Sequence, residues 1–498
     1  MFFAENKAHC VIILLWEVSM KKNLKKYDKL IMLLCISVAV VVLSWFIKGG
    51  TFANGVYAEL GYSRAGIYDL FYYIYGTVYY KMMDVFFILM IGGCYGVLAE
   101  TKSYRKLVDK AIDFIHGKEK WVLAVLVLVM GIFVSISTQI LALLIFVPFI
   151  VTVFIGDGKD RMTAFLASFG GIFVGLLGQT FGTFGMKYMN EYLMLDFSKQ
   201  FLLKAVIFVL MYALFVAFAI LHMNKNKKTV DEIDYDLFAT EELDESGVKA
   251  KKRVKLWPTI VLFVLLFVSV FVAYISWDTG FGVKYFTELF NKFNTKFLVF
   301  KDVPLIATLF GTNSGNAREF GALTDMMFSS FSLVLITIVM AIINKIKIGE
   351  FFYNFGEGLK KMVKVAIIYA LCFTPILLTT QYPWLLTVMN SLLVDKFNII
   401  QLFFGGFAGQ TLLVEQDLLG YLFGQYLATN FKDNIVLTSI IWRFGYGISL
   451  LVGPTSFVLL SGLTYLDISY GKWLKYIWKF ALSAIVIFML AMYIVVYL

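Results

Sequence analysis

Three histidines and four cysteines are all that this chain of 498 residues offers to metal or thiol chemistry. His9, His116 and His222 are far apart, and Cys10, Cys35, Cys94 and Cys372 show neither ligand spacing nor a disulfide framework. No metal site and no bound cofactor are expected. Charge is scarce as well, with Asp, Glu, Lys and Arg together at 16%. Nothing long and polar remains to fold as a separate soluble domain. No Ser, His and Asp constellation marks a nucleophilic enzyme, so the expectation is that the protein is not an enzyme.

What is present is apolar. Hydrophobic residues make up 60% of the chain, and the mean hydropathy is +0.80. Soluble domains sit near half. The excess recurs in runs long enough to cross a hydrocarbon core of roughly 30 Å. The clearest are Leu30–Ile47, Val85–Ala99, Phe201–His222, Leu256–Ser276, Phe328–Ile343, Met362–Leu378 and Trp478–Leu498. The fold class expected is an all-α integral membrane protein with about nine full crossings. The net charge of +10 sits beside these runs, so it sets topology and does not call for nucleic acid.

Lys21, Lys22, Lys25, Lys26 and Lys29 precede the first run and put the N-terminus in the cytoplasm of a cell whose plasma membrane the chain spans. Val11–Trp16 is too short to span, no cleavage pattern is apparent, and Met1 and Met20 are alternative starts. The chain then divides into a cytoplasmic segment 1–29, a first transmembrane unit 30–223 and a charged cytoplasmic loop 224–255. A connecting span with an external segment, 256–327, and a second transmembrane unit, 328–498, complete it.

Within the first unit, Tyr104–Ile115 alternates apolar and charged faces, as a helix on the inner surface would. Trp121–Ile155 is apolar but interrupted at Ser135, Ser137, Thr138 and Gln139, and basic residues flank it at both ends. A segment that enters and leaves on one side is a re-entrant hairpin. Met162–Asn190 crosses next, interrupted at Gly178–Gly182. The second unit repeats this grammar. Lys159-Asp160 aligns with Lys432-Asp433, Phe169-Gly170 with Phe444-Gly445, Gly178-Gln179-Thr180 with Gly453-Pro454-Thr455, and Ser137-Thr138-Gln139 with Ala408-Gly409-Gln410. The offset stays near 271–275 residues, which suggests duplication. Basic loops orient the second unit upside down relative to the first. Two inverted repeats are therefore expected, each with a re-entrant hairpin and a broken helix.

Interrupted helices at membrane depth survive where they line a cavity or are buried in protein. The candidate binding residues sit at four such breaks: Ser137, Thr138 and Gln139; Gly178, Gln179, Thr180 and Thr183; Gly409, Gln410 and Thr411; Gly453, Pro454, Thr455 and Ser456. Small residues also mediate ordinary helix packing, and a single break would be read that way. Four at equivalent positions favour one shared substrate pocket. Glu415, Asp417 and Arg443 are charges within spans, where charge is costly. The acids bind a cationic substrate or a coupling proton, or they pair with Arg443; both readings stand. Lys187 belongs to the outer interface, and Asn313, Asn316, Arg318, Glu319 and Asp325 to a solvated loop.

Phe87-Ile88-Leu89-Met90-Ile91-Gly92-Gly93 through Gly96-Val97-Leu98, then Gly117-Lys118-Glu119-Lys120, resembles the YfcC family. Phe355-Gly356-Glu357-Gly358-Leu359-Lys360 resembles that family's second-repeat entry. Pro454-Thr455-Ser456 with Gly471-Lys472-Trp473-Leu474-Lys475 resembles its C-terminal signature. The family is grouped with the anaerobic four-carbon-dicarboxylate carriers and is similar to aminobenzoyl-glutamate transporters. The resemblance implies a secondary carrier with moving repeats. It departs where Thr138 and Gln139 replace the acids usual in the first hairpin, and where Glu415 and Asp417 follow the second.

The expected function is a secondary active transporter of a small charged metabolite, first a basic amino acid antiporter or permease. A carrier of dicarboxylates or other organic anions is the alternative. A channel or scaffold without turnover is the alternative of another class. Na+ or H+ are the candidate coupling ions. The expected partners are a small-molecule substrate and the lipid bilayer, with a homodimer left open.

Overall fold

The computed structural model describes residues 27–53, 55–183, 191, 193, 198–225, 255–299, 303–310, 318–323, 326–393, 397–412 and 416–497. Lys21 to Lys26, most of the charged loop, Lys187, Asn313, Asn316, Asp325 and Glu415 lie outside the described residues, and so does the side chain of Asp417.

The chain is an all-α membrane protein. Its first helix, α1 (Asp28–Phe46), is followed by a small hairpin of β1 (Gly50–Ala53) and β2 (Val56–Glu59). Then come α2 (Ile67–Tyr80), α3 (Met82–Ala99) and α4 (Lys102–Ile115). The first expected break separates α5 (Glu119–Ser137) from a 3-10 turn, Leu141–Phe146, that runs into α6 (Val147–Gly156). Next are α7 (Arg161–Leu177), α8 (Phe201–Lys225) and α9 (Trp257–Tyr274). The apolar run Phe297–Phe310 forms a short hairpin, Leu298–Val299 with Val303–Pro304, and the helix Leu305–Phe310. The second half holds α10 (Met327–Ile343), α11 (Ile348–Leu371), α12 (Thr374–Gln381), α13 (Trp384–Leu392), α14 (Ile399–Leu412), α15 (Gln416–Asn430), α16 (Ile435–Val452), α17 (Phe457–Tyr465) and α18 (Tyr470–Tyr497).

Among the described residues, eight helical stretches are long and apolar enough to cross a membrane. They divide by burial. The two interrupted stretches, Ile348–Gln381 and Lys432–Tyr465, are 78% buried, whereas α8, α9 and α18 are only 28% buried. Unbroken helices turn large apolar side chains outward, such as Leu202, Leu265 and Leu490. The broken ones sit inside, where neighbouring protein can satisfy their freed backbone groups.

The segment from α5 to α6 turns back on itself, and its two ends are tied together. His116 Nδ1 lies 2.8 Å from Asp157 Oδ1, and Lys159 Nζ lies 2.8 Å from Glu119 Oε1. Asp160 begins α7 and faces His222 of α8 at 3.1 Å. Burial pushes the Asp160 carboxyl up, but hydrogen bonds from His222 and Thr163 hold it below the usual carboxylate range. The helix expected on the inner surface is α4, with Thr101 accepting from the Tyr104 amide as its cap. Its Tyr104, Val108 and Ile115 are buried.

Two interfaces depend on the absence of a side chain. On α3, Gly92 and Gly96 stand four residues apart and face Gly358 of α11. A Cβ on Gly358 would lie 2.2 Å from the Gly92 carbonyl oxygen, and one on Gly96 would lie 2.4 Å from that of Asn354. Such backbone-to-backbone approach is how membrane helices without a hydrophobic drive gain dispersion contacts. In the same way, a Cβ on Gly447 of α16 would meet the Leu176 carbonyl of α7 at 2.8 Å.

Gly358→Val should therefore force α3 and α11 apart at a cost of about 1–3 kcal/mol, the usual range for overpacking. Gly356→Ala, two positions earlier in open space, should be neutral. Thermal unfolding of the two variants in detergent checks this, and equal melting temperatures would refute it.

Candidate functional site

The first break is set by a polar sequence at the end of an apolar helix. Thr138 takes a left-handed conformation, with φ of 57°, which a β-branched residue adopts only under tertiary constraint. The Ser137 hydroxyl turns back to the Phe133 carbonyl at 2.7 Å and accepts the Gln139 amide at 3.1 Å. The last carbonyls of α5, at Ser135 and Ile136, have no partner within their own helix.

The second break supplies the donors. Past Leu177 the backbone leaves α7, and the amides of Thr180, Phe181 and Gly182 donate to the Ser135 carbonyl at 3.1, 3.3 and 3.2 Å. The Thr183 amide donates to Ile136 at 3.1 Å. The Ser135 hydroxyl donates to the Gly178 carbonyl at 2.6 Å and lies 3.0 Å from the Thr180 hydroxyl. Breaks one and two are thus brought together, stitched backbone to backbone. The amides of the broken span at Thr180–Thr183 are thus engaged by protein carbonyls.

The second unit makes a related pair. The Thr455 hydroxyl donates to the Thr411 carbonyl, and the Gln410 amide nitrogen donates to the Trp442 carbonyl at 3.0 Å. Ser456 donates to the Leu450 carbonyl at 2.7 Å and caps α17 by accepting the Leu459 amide at 3.3 Å. Gly409 faces Met389, so close that a Cβ would lie 2.5 Å from its sulfur. The expected third break is not one: Gly409, Gln410 and Thr411 lie within α14, which stays helical to Leu412, and Thr411 meets the fourth break through Thr455. Thr180 reaches Ser135 and Thr455 reaches Thr411 across sequence separations of 45 and 44 residues.

Between the units, α7 and α16 run antiparallel. Leu176 faces Gly447, while Gly178 lies with Ile440 and Arg443 around a cavity of about 10 Å3. Leu177, Gln179, Ile207 and Lys204 complete that lining. Arg443 and Lys204 are both 4% exposed. The second break thus opens on two buried cations, one from each unit. The fourth break does not line this cavity: Gly453 is six residues beyond Gly447, or about 9 Å along the helix. Pro454 and Ser456 sit with it. Lys204 and Ser135 were not among the expected site residues. Ser135 was visible as a polar interruption, but Lys204 reads as a helix-end lysine that would reach for water. Only the fold places it beside Arg443.

One group of His, Asp and Glu donors lies close together among the described residues, His116 with Glu119 and Asp157, within 4.8 Å. Lys159 already bridges its two carboxylates, at 2.8 and 3.4 Å, so the group is satisfied as an ion-pair cluster.

Comparison with known proteins gives one match. The family model described as C4-dicarboxylate anaerobic carrier matches residues 27–390, from α1 through α13. No curated protein and no solved structure matches the chain. With well over half of its length matched, the chain belongs to the C4-dicarboxylate anaerobic carrier family.

Proposed function

We propose that the protein is a secondary carrier of four-carbon dicarboxylates in the cell membrane, with its N-terminus in the cytoplasm. The observation that carries this reading is the pairing of Arg443 with Lys204 around the broken backbone at Gly178-Gln179. A buried cation is costly at membrane depth and is usually functional. Two buried cations facing one cavity suit a guest with two carboxylates. Arginine offers a planar fork that fits one carboxylate, and lysine a compact charge for the other. The cavity of about 10 Å3 has room for roughly one water, so loading requires α8 or α16 to move.

The amino acid reading rested on Glu415 and Asp417 near the second hairpin. A cationic guest would meet like charge at Arg443 and Lys204, which disfavours it. Two inverted repeats, each moving its hairpin with its broken helix, remain the proposed machinery. The Ser135–Thr180 and Thr411–Thr455 contacts support it by tying hairpin to broken helix in each half. A Na+ or H+ gradient, or exchange for internal substrate, supplies the drive.

In proteoliposomes, succinate uptake should saturate, and arginine or ornithine should not compete. Arginine uptake without succinate uptake would reinstate the amino acid reading; flux without saturation would favour a channel. Imposing Na+, pH and counter-substrate gradients separately identifies the drive.

Arg443→Gln should lower succinate kcat/KM by about 30-fold or more, the usual consequence of deleting one partner of a buried charge pair. Lys204→Gln should weaken succinate more than the monocarboxylate propionate, because only the second carboxylate loses its partner. Equal loss for both would take Lys204 out of the site.

A further inference from the structure

The interrupted span Lys432–Tyr465 carries a second feature, on the face of α16 that turns away from Arg443. Thr438, Trp442 and Ser449 are at most 1% exposed, and the Thr438 and Ser449 hydroxyls and the Trp442 ring nitrogen have no hydrogen-bond partner among the described residues. Their intervals of four, seven and eleven residues keep them on one stripe of the helix. Gly445 continues that stripe. It faces Gln410 of α14, whose amide oxygen is 3.9 Å from where a Gly445 Cβ would stand and is likewise unpartnered. Past the break the pattern resumes on α17, with Ser461 and Tyr465 four residues apart and both hydroxyls without a partner among the described residues. Tyr465 is within electrostatic reach of Tyr104, whose hydroxyl, 2% exposed on α4, has no partner among the described residues either.

Helical serines and threonines ordinarily return their hydroxyl to a carbonyl one turn back. Elsewhere in this protein they do so, as Ser137, Thr337 and Thr464 show. An unmade bond at a fully buried polar atom is expensive, and a file of them along one helix calls for a single explanation. The donors and acceptors alternate in kind: hydroxyls can do both, Gln410 Oε1 only accepts, and Trp442 Nε1–H only donates. A cation would be repelled by the indole N–H, and a carboxylate by the amide oxygen. Water suits every member.

We propose that this stripe holds a file of ordered water, running from Thr438 between α14 and α16, past the break at Gly453–Ser456, to Tyr465 and Tyr104 beside the helix α4. The file keeps the broken span hydrated on the side opposite the two cations. The proposal holds for whatever solute is carried.

X-ray hydroxyl-radical footprinting of the unmodified protein in detergent, read by peptide mass spectrometry, tests it without any transport assay. The radicals form from water in place, so buried rings are oxidised only where water sits beside them. Trp442, Tyr465 and Tyr104 should be modified about tenfold faster than Trp473 and Tyr369, which are as deeply buried but bonded to protein. Equal protection of all five would overturn the proposal. Thr438→Val and Tyr465→Phe delete a hydroxyl and keep the shape. They should leave the melting temperature unchanged or higher and reduce Trp442 oxidation about twofold or more. A lowered melting temperature with Trp442 oxidation unchanged would mean that the hydroxyl is bonded to protein and not to water, and that also overturns it.

Discussion

Every backbone amide and carbonyl at membrane depth must find a partner in the protein, and this constraint organises the molecule. Helices satisfy it alone until they break. Each break then leaves carbonyls at one stump and amides at the next. Here the stumps of different helices answer one another. The carbonyls of Ser135 and Ile136 at the end of α5 receive the amides of Thr180 to Thr183 past the end of α7. Neither segment could be irregular without the other. The turn after α5 and the interruption after α7 are therefore one unit, and a rearrangement that moves one carries the other with it.

Burial follows from the same rule. Lipid offers no hydrogen bonds, so the interrupted spans take the centre and unbroken helices surround them. Close contact at the centre needs small residues, which explains why glycines, not large apolar residues, mark the α3–α11 and α7–α16 interfaces. Those glycines do two things at once. They let helices approach within dispersion range, and at Gly447 they bring the break after Leu177 level with Arg443.

Much of this was legible in the residues, for identifiable reasons. Long apolar runs and basic flanks are properties of composition, and they mark membrane helices without knowledge of their neighbours. The breaks at Ser137-Thr138-Gln139, Gly178-Gln179-Thr180 and Gly453-Pro454-Thr455 were legible because polar and small residues interrupt an otherwise apolar helix. What was not legible depends on which helix lies beside which. Lys204 stands four residues into a span, where a lysine reads as reaching for the interface. It becomes a site residue only because α8 packs on α7 and α7 on α16. The engagement of the Thr180–Thr183 amides was hidden for the same reason: sequence shows that a helix stops, not where its amides then turn. The interruption between α11 and α12 at Cys372-Phe373 was read through as a continuous span, because neither residue is polar and Pro375 is tolerated in the first turn of the new helix.

The helix α16 brings these threads to one place. Ile440, Arg443 and Gly447 share one face and look toward α7 and the first unit. Thr438, Trp442, Gly445 and Ser449 share the opposite face, where Trp442 and Gly445 meet α14. A helix with a cationic face on one side and a hydroxyl-bearing face on the other cannot be an inert packing element, since each face carries a cost that apolar residues would remove. The two costs are of different kinds. A buried guanidinium is stabilised by opposite charge, so the face that carries Arg443 discriminates by charge. Buried hydroxyls are stabilised by anything that hydrogen-bonds, water included, so the second face is indifferent to charge. Charge and neutral hydrogen bonding are thereby separated onto two sides of one helix. The charge on Arg443 could therefore be altered with little direct effect on the seam between α14 and α16.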